Sequence, residues 1–466
     1  MRQIMHRRIP FLIVFACLGA QLCPGAVSVD DLEGPRQFLE IYEIDESYLS
    51  RLQDGRAVHE DEEETILHTL LLFPKMPKDD VERWKCEAPP LAELLKNPKT
   101  YQTQLWPLTG LVDRVERITV VSEIGERLGF SHYFRLTLNN KENQYKVTLY
   151  ARHVPVRWNQ AIENQEILDE PVSVLAMFLK VGGEDNEQGS TEIIAVTENV
   201  AWHPVSQADR WGLTDSHLLL GRLKMDVGLL DQVKHKSAFR TEDREGFYAL
   251  LDVVSRIESL DIEKHASVLG LGLLISQHRD HVGRLVTIDG VARRAIRIEV
   301  EEEDIRRRFG IDHYYEVAFF VEGPVRLKAN AEDDQGTVVQ TYPVILCARR
   351  LPDAMPVGDD IRVPIRAVGF FFKLWAYENA LLSNGDRRQR QISPLLLGKE
   401  PLMFPVVRRQ KDSRVGAIFG LLFIVGLIGM WLGIRHMGDR KVTDRPVETM
   451  KRLPESFPTM NDDSLD

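Results

Sequence analysis

Two stretches of this chain repeat each other, and the duplication limits the available folds more than any other feature. Gly290 to Tyr315 reads GVARRAIRIEVEEEDIRRRFGIDHYY, and Gly110 to Phe134 reads GLVDRVERITVVSEIGERLGFSHYF. Gly110/Gly290, Arg114/Arg294, Arg117/Arg297, Ile118/Ile298 and Val120/Val300 agree at one offset. After a one-residue shift, Arg127/Arg308, Gly129/Gly310, His132/His313 and Tyr133/Tyr314 agree as well. A repeat of this kind makes the unit, used twice, the object whose fold must be explained.

The repeat extends upstream without a gap through Asp45/Asp226, Leu49/Leu230, Glu64/Glu245 and Leu70/Leu251. From Glu60, EDEEETILHTLLLF predicts a helix. Its acidic first turn suits the positive end of the helix dipole, and Ile66, Leu67, Leu70 and Phe73 form a stripe at helical spacing before Pro74 ends it. TEDREGFYALLDVVSRI is the same helix in the second copy. Contiguous Asp61, Glu62, Glu63 and Glu64 fan around a helix and do not converge, so they read as a solvated helix terminus and no metal is expected there.

Each helical prelude leads into five runs that alternate apolar and polar residues, the pattern of half-buried strands. In the first copy these are VERITV, HYFRLTL, YKVTLYARHVP, PVSVLAMFLKV and TEIIAVTENVAWHP. In the second they are AIRIEV, HYYEVAFFVE, TYPVILCARRLP, IRVPIRAVGFFFKLWAYE and RQISPLLLGKEP, with Ala151/Ala348, Arg152/Arg349, Pro155/Pro352 and Lys180/Lys373 matched. Five strands per copy are too few for an immunoglobulin-type sandwich. The fold class is therefore α+β.

The order VTIDG, ARRLP, VGFFFK, PLLLGKEP resembles the OB-fold, and the resemblance implies a five-stranded, partly open barrel in each half, about 110 residues of each. The first copy departs from it at Ala176, which replaces the glycine of strand four, and the second carries an insertion around Gly323 to Gln340.

The ends suggest placement. Arg2, Arg7 and Arg8 precede the apolar run Phe11 to Ala20, so residues 1–26 read as a cleaved export signal. Val415 to Ile434, VGAIFGLLFIVGLIGMWLGI, has no charge and is long enough to cross a bilayer once. Between these ends the expected organisation is repeat 1 over 38–204, a linker over 205–218, repeat 2 over 219–401 and a basic connector over 402–414. The tail, 435–466, is too charged and proline-rich to form a core, and the topology places it in the cytoplasm with the bulk of the chain exported. Gly416/Gly420 and Gly429/Gly433 have the spacing that lets two membrane helices approach, a possible homodimer contact, though glycine is also common in single membrane helices. With exported repeats and a C-terminal anchor, the chain resembles large planctomycete-type envelope proteins, a resemblance that implies no particular activity.

Composition narrows function. The net charge of −11 gives no general reason to expect nucleic-acid binding. Only Cys86 and Cys347 lie beyond the export segment, too few for a disulfide framework; a single bridge is the alternative to Cys347 as a small buried strand residue. No GxSxG, GxxxxGK[ST], HExxH or CxxC is present. His278-Arg-Asp-His281 lacks a further ligand and reads as a polar connector. No catalytic residue, metal or cofactor is expected.

The one candidate ligand surface, for an anion, is the matched set Arg114, Arg117, Arg294 and Arg297 with His132 and His313. The plainer alternative pairs the arginines with acids such as Glu299 and Glu301 and makes each histidine a core residue. The leading expectation is a single-pass, exported, non-enzymatic binding or scaffolding module at the cell envelope, with an envelope protein or polymer as partner. A single-stranded nucleic-acid-binding protein is the alternative, resting on VGFFFKLWAY and ARRLP. A hydrolase using histidine and carboxylates is the third.

Overall fold

The structure, a computed structural model, describes residues 32–139, 145–185, 190–206, 209–257, 265–327, 337–378 and 390–404, with isolated positions between 424 and 430. The export segment, nearly all of 415–434 with Gly416, Gly420 and Gly433, and the 435–466 tail lie outside the described residues. Among the described residues no helix is long and apolar enough to cross a membrane. The chain divides into Met1–Phe404 and Pro405–Asp466, and the first unit holds both copies of the repeat.

That unit is mixed α+β with two sheets. The first contains β1 (Leu105–Thr119), β2 (His132–Asn139), β3 (Tyr145–His153), β4 (Glu170–Asp185), β5 (Ser190–Asn199) and β6 (Ala201–Trp202). The second contains β7 (Ser267–Val268), β8 (Leu285–Glu299), β9 (His313–Leu327), β10 (Thr337–Ala348), β11 (Val363–Glu378), β12 (Arg390–Gly398) and β13 (Leu402–Met403). Strand order is β1-β2-β3-β5-β4-β6 in one and β13-β11-β12-β10-β9-β8-β7 in the other. In addition β4 pairs with β1, and β11 with β8. The β3–β5 and β10–β12 pairs are parallel.

The sheets thus hold six and seven strands where five each were expected. β6 lies along β4, with Val172 opposite Trp202, and β13 lies along β11, with Ile365 opposite Met403. Two-residue strands carry no alternation to read.

The matched glycines sit where the first strand changes partner. Residues 105–112 of β1 pair with β4 and residues 111–119 with β2; in β8, residues 285–292 pair with β11 and residues 291–299 with β9. At this crossing a Cβ on Gly110 would lie 2.7 Å from the Asn139 carbonyl oxygen, and one on Gly290 would lie 2.7 Å from that of Phe320. A side chain there would force the strands apart.

Four principal helices recur as two pairs: α1 (Glu60–Leu72) with α3 (Thr241–Arg256), and α2 (Ser122–Leu128) with α4 (Glu303–Phe309). The first pair is the expected prelude. The second, between the first two strands of each sheet, was not expected; each ends on a left-handed glycine, Gly129 (φ 73°) or Gly310 (φ 63°). Other left-handed positions recur in step, Glu43 with Lys224, Gly55 with Lys236 and Thr103 with Gly283. The duplication therefore reaches the backbone at these positions.

One apolar core runs through both copies. It joins Val112, Leu136, Leu149 and Phe178 to Phe247, Phe319, Phe370 and Leu396 by way of Trp158, Trp202, Trp211, Leu220 and Val227. A second cluster packs α1 against the outer side of the first sheet at Met177, Leu179, Ile194 and Val196. Residues 205–218, expected as a linker, supply Trp211 to the shared core and begin the helix Asp215–Arg222. The three indoles meet edge to face at 5.7 and 5.9 Å, and the buried Glu170 accepts from the indole nitrogens of Trp202 (2.9 Å) and Trp211 (2.8 Å). Cys86 is exposed and Cys347 buried, and both are free thiols.

Candidate ligand surfaces

The acidic first turn of each prelude helix carries one residue that is not solvated. Glu62 and Asp243, each the third residue of its helix, are buried, and each meets a fully buried lysine of the fourth long strand at 2.7 Å, Lys180 and Lys373. The expected fan of solvated acids holds for Asp61 and Glu64, which are half exposed, and fails at Glu62. Both lysines follow a break in strand register, between Phe178 and Lys180 and between Phe371 and Lys373, which turns them toward the prelude. Each carboxylate also caps its helix, accepting from the amide of His59 or Arg240 at 2.9 Å. Burial alone would push the Glu62 carboxyl up, but Lys180 and the amides of Gln53 and His59 hold it below its ordinary value. Burial holds the Lys373 ammonium down, against the opposing pull of Asp243. Every polar atom in this arrangement faces a partner within the protein, so it is a clasp between prelude and sheet.

The candidate residues fall into two separate sets, one on each sheet. Arg114 and Arg117 are exposed on β1. Arg117 donates to Asn159 (2.9 Å), and its guanidinium lies 5.6 Å from the Phe134 ring centre. Arg294 meets Glu316 at 2.7 Å and Asp359 at 3.0 Å, and Arg297 meets Glu299 at 3.1 Å. His132 and His313 are half-buried. Their backbone carbonyls accept from the matched arginines, Arg152 (3.0 Å) and Arg349 (2.5 Å). Burial, then Arg117 and Arg152, lower the pKa of His132. Around Arg114 a hollow of about 300 Å³ mixes Arg135 and Lys146 with Glu116 and Glu192, and its Arg135–Glu116 pair (2.5 Å) is already closed.

A larger cleft, about 800 Å³, opens where the segment before α3 meets the turn before β8 and the turn Val156–Trp158 that follows β3. Its cations are Arg157, Lys234, Lys236, Arg240 and Arg279. Arg157 is engaged by Asp231 at 2.7 Å. The other four are exposed, and no ion pair holds any of them among the described residues. His235 and His278 meet there edge to face, ring centres 4.5 Å apart. Burial first, then His278 and Lys373, depress His235 to about 4, so the imidazole is neutral near pH 7. Its Nδ1 accepts from the Leu374 amide (3.2 Å), which leaves the proton on Nε2.

Sequence reading passed over this cleft, apart from His278 and Arg279, which it placed in a connector. The feature that points to it is a difference between the copies: Lys234-His235-Lys236 stands where the first copy has Gln53-Asp54-Gly55. The backbone is the same in both. Asp54 accepts from the Val181 amide (2.9 Å) as His235 does from Leu374, and the amides of Gly55 and Lys236 donate to the carbonyls of Val181 (3.0 Å) and Leu374 (2.7 Å). Lys236 thus holds a left-handed conformation (φ 55°) that Gly55 (φ 80°) adopts freely, and that costs a side-chain-bearing residue roughly 1–2 kcal/mol.

Comparison with protein-family models and with curated proteins finds no match. Among solved structures the chain is similar to one described as an aspartyl-tRNA synthetase from Leishmania major Friedlin (9% identity, 54% of this chain and 52% of that one, TM-score 0.17). It is also similar to the aspartyl tRNA synthetase of Entamoeba histolytica (7%, 48% and 48%, TM-score 0.16). A third is a deletion mutant of the single-stranded DNA binding protein from Thermus aquaticus (9%, 66% and 97%, TM-score 0.15). The chain spans about half the length of the two synthetases.

Proposed function

We propose that the chain is a non-enzymatic binding or scaffolding module at the cell envelope, built on two OB-type barrels and held by a single membrane helix at 415–434. The observation that carries the barrel reading is the pairing circuit. In each copy the five long strands pair first-second-third-fifth-fourth, the fourth returns to the first, and the third and fifth are parallel. The membrane reading rests on the uncharged run Val415–Ile434 and the basic, apolar start of the chain.

The nucleic-acid alternative keeps Trp375 and Tyr377, which are half-buried, but most of the other residues offered for it are engaged within the fold. Phe370, Phe371, Phe372 and Lys373 are fully buried, so none can stack on a base. Arg349 holds the His313 carbonyl and Arg350 forms a two-pronged pair with Glu400 (2.8 and 3.1 Å). Crosslinking the full chain in intact cells, followed by detergent extraction, is expected to recover one recurring envelope protein or polymer. Recovery of the chain alone in repeated extractions overturns the reading.

A further inference from the structure

The 800 Å³ cleft lies where the two copies share a backbone and differ in charge. The first copy fills the loop before its helix with Gln53, Asp54, Gly55, Arg56 and His59. There Arg56 is taken up by Asp61 (3.4 Å) and Asp54 is an acceptor for the sheet. The second copy has Lys234, His235, Lys236, Ser237 and Arg240 at these positions, and the turn His278–His281 adds Arg279 from across the cleft. The carboxylates nearby are few. Asp231 is held by Arg157 and Asp243 by Lys373, which leaves Asp280 beside His278. Four cations without ion-pair partners among the described residues therefore border one hollow in a chain whose net charge is −11.

Like charges gathered this way repel one another, so the arrangement is unfavourable until an anion enters. Lys236 adds a second cost, because its backbone holds the left-handed conformation for which the first copy uses glycine. A lysine at that point contributes nothing to the backbone that Gly55 does not, and what it adds is an ammonium at the cleft.

We propose that this cleft binds a small polyanion carrying two or more phosphate groups. Two arginine forks suit phosphate oxygens, and two lysines supply mobile point charges around them. A singly charged anion would answer only one of the four. The neutral His235, with its proton on Nε2, adds a donor without further charge repulsion. The inference rests on the chain being a binding protein, and on neither its membrane placement nor its barrel class.

The test is calorimetric titration of the full chain, in detergent, with inorganic tripolyphosphate at low ionic strength. Saturable binding is expected, with affinity falling steeply as salt is added. Lys234→Gln with Lys236→Gly, which restores the first copy's residues, should weaken it at least tenfold. Lys96→Gln with Lys99→Gln removes the same charge from exposed positions that do not line the cleft, and should change affinity less than twofold. Lys236→Gly alone should weaken binding while raising the melting temperature, a pair of opposite effects that a structural lysine would not give. Absence of binding at low salt, equal weakening by the two double variants, or a Lys236→Gly protein of lower stability each overturns the proposal. If any of these results is found, crosslinked recovery of an envelope partner by the unaltered chain still leaves the broader binding reading standing, so the two failures are distinguishable.

Discussion

The two copies share what holds them together and differ in what they present. Both fasten a helix to a sheet through a buried lysine and carboxylate, Lys180 with Glu62 and Lys373 with Asp243. Both place a left-handed residue one position beyond the same sheet-facing acceptor, at Gly55 after Asp54 and at Lys236 after His235. The loops carrying these features differ in electrostatic character, formally neutral and internally paired in the first copy, cationic and open in the second. Duplication kept the clasp, where a change of one partner is severely destabilising, and released the loop side chains, where a change costs little.

The sharpest test of that division is to break the clasp in each copy. Lys180→Met leaves Glu62 buried with only the partly exposed Arg56, 3.5 Å away, as counter-charge, and Lys373→Met leaves Asp243 with no ion-pair partner among the described residues. Each should cost about 3–5 kcal/mol in denaturant unfolding, with the larger loss in Lys373→Met, where no second cation stands beside the carboxylate. Adding Glu62→Gln to Lys180→Met should recover part of the loss, because it removes the buried charge, while the single amide oxygen of glutamine can accept from only one of the His59 and Gln53 amides. A loss below about 1 kcal/mol in either copy would show that the clasp is dispensable there.

A smaller effect is expected at the crossing of the first strand. Gly110→Ala and Gly290→Ala each drive a methyl group against a carbonyl oxygen of the neighbouring strand, at Asn139 and Phe320. Loss of about 1–3 kcal/mol is expected from each, read from unfolding midpoints at unchanged slope. If only one copy responds, the crossing is not equivalent in the two, and the residue-by-residue comparison weakens.

Much of this was legible in the sequence, and what was missed was missed for identifiable reasons. The duplication and the prelude helices announce themselves through identities at fixed spacing and through the stripe Ile66, Leu67, Leu70 and Phe73. The seven-residue helices α2 and α4 do not, because so short a helix has too few turns to show a period; in α4 only Ile305 is buried. The clasp was half visible: Lys180/Lys373 matched, and the acidic run was noted. Joining them requires contacts across 118 and 130 residues of chain, which no local pattern encodes. The cleft was hidden for the opposite reason. Attention to matched arginines favours what the copies share, whereas Lys234-His235-Lys236 against Gln53-Asp54-Gly55 is a signal made of differences.

The same contrast between shared role and unlike surroundings sets the smallest effect. Asp45 and Asp226 are matched and do the same work, each accepting from the amide two residues on, at 2.8 Å from Ser47 and 2.9 Å from Gly228. Asp45 is exposed, and the Ser47 hydroxyl and amide lower its pKa. Burial pushes Asp226 up to about 7, against the amides of Trp202 and Gly228. Their linkages to stability have opposite signs. For Asp226 the folded value lies above the unfolded one, so its contribution is full below about pH 4 and is lost as pH rises toward about 7. For Asp45 the contribution is present above the ordinary carboxylate range and is lost as pH falls through its lowered value. Asn at either position keeps the oxygen that caps the turn and removes the titration. Melting temperature against pH should therefore fall less steeply between pH 4 and 7 in Asp226→Asn than in the unaltered protein, while Asp45→Asn should alter only the acid limb. Parallel profiles for Asp226→Asn and the unaltered protein across that window would mean that Asp226 ionises inside the fold at no cost. The shared turn would then leave the two copies electrostatically alike at this point, and their divergence would be confined to the cationic loop.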